Sequence, residues 1–346
     1  MKKKHKIWIG ASLLCLITGL FSFTNSGTNY FEIAKNLDIF ATMYKEVNKY
    51  YVEDVNPNHF MKTGIDAMLA SLDPYTNYIP EDQIEDFRTM TTGEYGGIGA
   101  IIGKRNNQNT VLMSYKGFPA EKSGLIIGDF ILKIDDIDLK NKSTEAVSRL
   151  LKGQAKTSLK LTIKRYGVKE PFEIDLQRER ISVDNVPYYG MVDENIGYIK
   201  LSDFTTGAGR EVEKALLNLK AQGAQKLVLD LRDNPGGLLG EAVNVSNIFI
   251  PKGSEVVSTR GRIEEWNKTY VALNNPIDTE IPIVVLTNGR SASAAEIVAG
   301  VIQDYDRGVL VGQKTFGKGL VQATRPLTYN SQLKITTAKY YTPSGR

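Results

Sequence analysis

The hydrophobic period changes twice along this chain, and those changes restrict it to a succession of different folding units. From residue 30 to about 88 the pattern is helical. Phe31, Ala34, Leu37, Ala41, Tyr44 and Val47 recur at three- and four-residue steps, as on one face of a helix. A second helix is expected over 59–72, ending where Asp73-Pro74 disfavours helical backbone. Between 94 and 178 the apolar runs shorten to strand length, at 98–102, 110–115, 129–134, 158–165 and 172–176. One helix, 143–152, interrupts them and stops before Gly153. Beyond 181 strands and helices alternate: a strand at 196–201, a helix at 209–222, buried apolar strands at 226–231 and 283–286, a helix at 293–305 and a strand at 309–311. The expected fold class is α+β and multidomain. An N-terminal helical region (27–93) precedes a compact module of short strands around one helix (94–178) and a mixed α/β core (179–346).

Two scarcities exclude whole classes of chemistry. Cys15 is the only cysteine, so there is no intrachain disulfide, no thiolate metal site and no cysteine nucleophile in the folded part. The only histidines are His5 and His59, which rules out a His-rich metal site; no metal and no cofactor is expected. A Ser-His-Asp triad would have to use His59, which reads as an ordinary cap or surface residue beside Asn58.

The net charge of +4 comes from Lys2, Lys3, Lys4 and Lys6; the remainder balances at 39 basic against 39 acidic residues. That argues against a nucleic-acid partner, whose electrostatic footprint is a basic domain. The same lysines precede an uncharged apolar run, 7–23, and then Thr24-Asn25-Ser26. This is the layout of a secretory signal, at the short limit of a membrane anchor. The rest of the chain is therefore expected outside the cytoplasm, secreted or anchored to the membrane by residues 1–26.

Three motifs in the last third carry candidate chemistry. Ser291-Ala292-Ser293-Ala294-Ala295-Glu296 follows a buried strand and opens a helix, so a serine hydroxyl there lies beside free backbone N–H groups. Ser293-x-x-Glu296 is equally a capping box. Gly312-Gln313-Lys314-Thr315-Phe316-Gly317-Lys318-Gly319 nearly matches a phosphate-binding loop, but Gly319 stands where a magnesium-binding Ser or Thr is required and no helix follows. Lys318 between glycines is either a solvated turn lysine or, if desolvated, a neutral general base. Asp230-Leu231-Arg232-Asp233-Asn234-Pro235-Gly236-Gly237 is either a tight turn or a set of N–H groups able to hold a carbonyl oxygen. In the middle module, Gly96-Gly97-Ile98-Gly99-Ala100 leads into a strand without a helix after it, which suits capture of a peptide carboxylate better than a dinucleotide.

Taken in order with Leu72-Asp73-Pro74 and Ile196-Gly197-Tyr198-Ile199, these motifs mean that residues 30–346 resemble the C-terminal processing peptidases, tail-specific serine proteases with an embedded PDZ domain. The resemblance implies a PDZ domain at 94–178 and a crotonase-like Ser-Lys protease core at 179–346, acting as a homo-oligomer on proteins or peptides with exposed C-terminal tails. It implies Ser293 as nucleophile, Lys318 as base, Gln322 orienting the amine, and the amides of Gly237 and Ala294 as oxyanion donors. Gly97, Ile98 and Gly99 would hold the tail, and Asp304 would be structural. Such enzymes continue beyond Tyr341-Thr342-Pro343-Ser344-Gly345-Arg346, so the resemblance also implies a missing C-terminal part. The competing expectation is an inactive tail-binding adaptor that retains the fold.

Overall fold

A computed structural model describes residues 27–346; the segment 1–26, which carries the leader reading, lies outside the described residues. The chain divides into two compact units, Met1–Ser71 and Leu72–Arg346.

The described part of the first unit is a pair of helices, α1 (Gly27–Tyr50) and α2 (Pro57–Ala70). Asn56 caps α2 by accepting the His59 N–H at 3.0 Å. Tyr44 stacks on both Phe40 and Phe60, with ring centroids 6.5 and 5.8 Å away, and donates its hydroxyl to the Pro57 carbonyl. The N-terminal part of the apolar stripe that predicts α1 is exposed, Phe31 and Leu37 at 67% and 64%. Among the described residues, no helix is long and apolar enough to cross a membrane.

The second unit begins with β1 (Asn77–Ile79), helix α3 (Ile84–Thr92) and strand β2 (Glu94–Gly97). The strand expected over 98–102 is broken. Gly99, at φ +72, turns the chain, and β3 runs from Ala100–Arg105 instead. With β4 (Gln108–Ser114), the short helix α4 (Pro119–Lys122), β5 (Phe130–Ile134), β6 (Ile137–Asp138), α5 (Thr144–Leu151), β7 (Ser158–Lys164) and β8 (Phe172–Gln177), β3 forms a six-stranded antiparallel sheet. Ser143 caps α5 by accepting the Ala146 N–H, and the core between helix and sheet is Val147, Leu151, Val111, Ile131, Leu161 and Ile163. β9 (Glu179–Ser182) pairs with β2 and closes the module.

The remaining strands make two sheets. β10 (Tyr188–Asp193), β11 (Ile196–Lys200), β12 (Lys226–Asp230), β15 (Ile283–Thr287) and β16 (Val309–Gly312) lie side by side in that order, parallel from β11 onward. Helices α6 (Ala208–Ala221), α7 (Leu239–Asn247) and α8 (Ala294–Asp304) share one apolar core with them, including Phe204, Leu216, Leu229, Phe249, Val285 and Val298. The second sheet has β18 (Gln332–Tyr341) at its centre, flanked by β1, β17 (Leu320–Pro326) and β13 (Glu255–Gly261), with β14 (Lys268–Val271) outermost. Asn77 of β1 pairs with Lys334 of β18, which brings the Asp73-Pro74 segment to the far end of the sequence. Asp304, expected to be structural, accepts the Ser344 N–H at 2.9 Å and pairs with Arg346.

One buried ion pair supports the middle module. Arg165 grips Asp129 through two parallel bonds of 2.7 and 2.8 Å, and the same carboxylate accepts the Ile126 N–H. Asp129 is fully buried and Arg165 is 26% exposed on its side chain. Removing one partner of such a pair leaves the other desolvated and unpaired. Asp129→Ala is therefore expected to lower stability by about 3 kcal/mol, the lower end of the range because Arg165 keeps some water. Urea unfolding of the variant should show an earlier transition, while Glu173→Ala, which breaks an exposed pair with Lys160, should leave the transition in place.

Candidate active site

β12 ends in the loop that carries Gly236 and Gly237, and four interactions fix it. The Asp230 carboxylate takes a bidentate grip from Arg232 and a 2.6 Å bond from the Tyr198 hydroxyl, which hold it ionised, with its pKa down to about 2 despite burial. Asn234 is fully buried; its amide donates to the Leu201 carbonyl and its oxygen accepts the Gly236 N–H, both at 2.8 Å. The Ala292 N–H donates to the Asn234 carbonyl at 2.9 Å. Phe204 then brackets Gly237, donating to the Gly236 carbonyl and accepting from Leu238. Both glycines are required by contact. A Cβ at Gly236 (φ +94) would stand 2.7 Å from the Ser293 Cβ, and one at Gly237 would stand 2.4 Å from the Phe204 carbonyl oxygen.

Next to this loop β15 passes into α8. Ser291 is fully buried, and its hydroxyl donates to the Leu231 carbonyl at 2.7 Å and accepts the Asn288 N–H. It is a tie between two strand ends. Ser293 is different: it borders an open cavity and sits at φ +54, ψ −114, a conformation that a residue with a side chain rarely adopts. Among the described residues, neither the Gly237 nor the Ala294 N–H donates to another group of the chain.

Glu296 joins this turn to the loop before β17. Its carboxylate accepts the Ser293 N–H at 2.8 Å, the Lys318 N–H at 3.0 Å and the Gly317 N–H at 2.6 Å. The capping-box glutamate thus holds the backbone of both Ser293 and Lys318. The Lys318 ammonium lies over the Tyr75 ring, 4.9 Å from its centroid, and no hydrogen bond joins it to Ser293 or Gln322 among the described residues. Burial pushes its pKa below that of an ordinary lysine, and the charge of Lys334 pushes the same way; Glu296 and Asp73 oppose them. Gln322 donates its amide to the Thr336 hydroxyl at 3.3 Å, which leaves its side-chain carbonyl able to accept. Thr336 is tied in turn to Thr76, and Thr76 to Asp73.

A cavity of about 690 Å³ gathers Ser293, Lys318, Gln322 and Gly237 from three separate stretches of sequence. Ala294 is buried immediately beside it, its backbone nitrogen 2.8 Å from the Gly236 Cβ position. Lys334 and Asp203 line the same space, as do Met90 and Thr91 of α3. Gly97, Ile98 and Gly99 lie apart from these residues, in a groove of about 500 Å³ between β3 and α5. Ile98 packs into the core of the module, and the Ile98 and Gly99 N–H groups donate to no other group among the described residues. No group of His, Cys, Asp and Glu suited to a metal ion occurs among the described residues.

Sequence reasoning missed Lys334, Asp203, Tyr75 and the bridging part of Glu296. For Glu296 the signal was present as the capping box. For Lys334 there was none, because a lysine in a strand-like run usually faces solvent.

Peptidase family S41 matches residues 195–346, and the PDZ domain matches residues 111–165. A carboxy-terminal-processing protease of Bartonella bacilliformis is 38% identical over 98% of this chain and 77% of its own length. A Staphylococcus aureus (strain MRSA252) protein named "Probable CtpA-like serine protease" is 38% identical over 92% of the chain and 64% of its own length. Among solved structures, a photosystem II D1 C-terminal processing protease superposes with a TM-score of 0.50 at 28% identity, covering 88% of each chain. An S41 protease of Bacteroides fragilis shares the fold, with a TM-score of 0.53 at 19% identity over 88% of this chain and 86% of its own.

The Glu296 bridge has a direct consequence. A glutamine there keeps one acceptor oxygen but turns an NH₂ donor toward an N–H group. Glu296→Gln is expected to speed hydrogen exchange at Gly317 and Lys318 by about tenfold, the loss of roughly 1.4 kcal/mol from a charge-assisted bond. Amides in the middle of α8 should exchange as before.

Proposed function

The chain belongs to peptidase family S41, as a C-terminal processing serine protease with a PDZ domain, and we propose that it cleaves protein tails outside the cytoplasm through a Ser293–Lys318 dyad. The observation that carries this reading is the single cavity lined by a serine in a strained turn, a desolvated lysine and a glycine loop with a free N–H. The histidine count supports it as well, since His59 is the only histidine beyond residue 26.

In the proposed reaction the substrate tail adds as a strand beside β3, with its carboxylate on the Ile98 and Gly99 amides next to Gly97. The chain upstream enters the cavity. Neutral Lys318, having left the Tyr75 ring and accepted orientation from the Gln322 carbonyl, takes the proton from the Ser293 hydroxyl. The Ser293 oxygen attacks the scissile carbonyl, and the oxyanion is held by the Gly237 and Ala294 N–H groups. The lysine ammonium returns the proton to the leaving amine as the C–N bond breaks. Water then gives a proton to Lys318 as its oxygen attacks the ester, and the ammonium returns that proton to the Ser293 oxygen as the ester C–O bond breaks, freeing Ser293, neutral Lys318 and a new carboxylic acid product. No metal or cofactor takes part. Location outside the cytoplasm rests on residues 1–26, and assembly with a second copy is supported by the exposed apolar stripe of α1. The adaptor alternative is disfavoured because Ser293, Lys318 and Gln322 are all present at the cavity.

Ser293→Ala and Lys318→Arg should both fold and both abolish turnover of an unstructured substrate, because a guanidinium cannot serve as a neutral base. Ser291→Ala should retain activity in proportion to how much of it folds. Near-normal turnover by Lys318→Arg would remove the dyad. A substrate with an amidated C-terminus should be cleaved more slowly than its free acid; equal rates would count against tail capture by the PDZ domain.

The pH dependence follows from the charges around Lys318. The active form is the neutral amine, so activity rises with pH through a pKa lowered by burial and by Lys334. Lys334→Met removes a like charge and raises that pKa. The acid limb of the kcat/KM profile should move toward alkaline pH, with less activity at neutrality; a limb that stays in place would show that Lys334 does not act on Lys318.

A further inference from the structure

Asp203 is the one charged group of the catalytic cavity to which the mechanism gives no work. It lies between β11 and α6, and the chain on both sides of it is fixed. The Ser202 N–H donates to the Asn185 carbonyl at 2.8 Å, and the Phe204 N–H donates to the Gly236 carbonyl at 3.1 Å. Thr205 is held by the Asn185 side chain through both its N–H and its hydroxyl. The Asp203 side chain is half-buried and has neither a hydrogen bond nor an ion pair among the described residues. Burial alone acts on it, raising its pKa, with no neighbouring cation to oppose the effect. The lysines of the cavity, Lys318 and Lys334, therefore do not neutralise it.

A half-buried carboxylate without a partner is a standing cost to the fold, and each such group needs a reason. Asp203 has a specific location. It immediately precedes Phe204, the residue whose backbone brackets Gly237, and so it stands next to the proposed oxyanion site. A substrate whose carbonyl reaches the Gly237 N–H must pass its neighbouring side chains along this wall of the cavity. We propose that Asp203 selects substrates carrying a lysine or arginine side chain close to the scissile bond, by pairing with that cation inside the cleft. The proposal rests on the peptidase reading above and specifies its substrate class.

The same cavity also carries the reverse charge. Lys334, on β18, faces the same space without an ion-pair partner among the described residues, beside Lys318. A cationic side chain is thus attracted by Asp203 and repelled by Lys334, which limits where in the cavity it can sit. Discrimination of this kind comes from the repulsive group as much as from the attractive one.

The test uses tail peptides identical except for one residue, which is lysine, norleucine or glutamate, moved through the three positions on either side of the scissile bond. For the full chain, at one of these positions lysine should raise kcat/KM by about tenfold over norleucine, as expected when a desolvated charge gains its partner. In Asp203→Asn that ratio, measured within the same enzyme, should fall to near one. In Asp203→Lys the preference should turn to glutamate. A merely structural aspartate would lower all rates together and leave the ratios alone. The proposal is overturned if wild type prefers lysine at no position, or if Asp203→Asn keeps the preference. Should the charge-reversed variant fail to fold, the isosteric asparagine still decides. Cleavage of the norleucine peptide by wild type and not by Ser293→Ala reads the peptidase assignment separately, so that a missing lysine preference then counts against Asp203 alone.

Discussion

One carboxylate holds the candidate site together. Glu296 accepts three backbone N–H groups, from Ser293 on its own helix and from Gly317 and Lys318 on a loop more than twenty residues away. Each bond is charge-assisted, and together they satisfy donors that a helix start and a glycine turn would otherwise leave open. One backbone bond, from the Phe316 N–H to the Ser291 carbonyl at 3.0 Å, joins the same two segments beside it. β15 and β16 bring their starting points to adjacent edges of one sheet, but a sheet sets position only to the level of a strand spacing. Moving a proton between a hydroxyl and an amine requires hydrogen-bond precision, and a shared acid anchoring both backbones supplies the frame for it.

The same carboxylate works against the chemistry proposed for Lys318. An anion beside an amine favours the ammonium, and Asp73 adds to that; burial and Lys334 favour the neutral form. Burial is the largest of these influences, so the balance falls on the side of a lowered pKa. The stacking of the ammonium on Tyr75 gives the protonated form a resting place away from Ser293. Proton loss and movement toward the serine then favour each other.

Much of this was legible in the sequence, and the part that was not has a common cause. The switch of period located the helices, the short strands and the alternating region, and the motifs with their resemblance pointed to Ser293, Lys318, Gln322 and the Gly236-Gly237 turn. These signals are local: a strand followed by a turn residue, a glycine, a cap. Strands β13, β14 and β18 and helix α7 were not anticipated; β13 and β14 form a local hairpin whose pattern was passed over, whereas the place of β18 depends on partners far away in sequence. β18 is paired with β1 at its start and with β13 at its end, and only that sheet explains why Lys334 faces the cavity. The strand expected over 98–102 failed for the opposite reason. Its apolar pattern was read as continuous, although Gly99 turns the backbone and frees two N–H groups.

The charges of the cleft follow from this division between local and distant signals. Asp203 comes from a loop fixed by Asn185 and Gly236, and Lys334 from a strand fixed by residues near the start of the second unit. Neither is held by the Glu296 frame, so either can change without disturbing the backbone that aligns Ser293 and Lys318. In the proposed reading the duties within one cavity are partly separate. Reaction depends on groups that a single acid holds in register, selection falls to Asp203 on an independent support, and Lys334 touches both because its charge also acts on Lys318. A cleft built this way can alter what it accepts by single substitutions at its walls, while its catalytic geometry stays as the helix, the loop and their shared carboxylate set it.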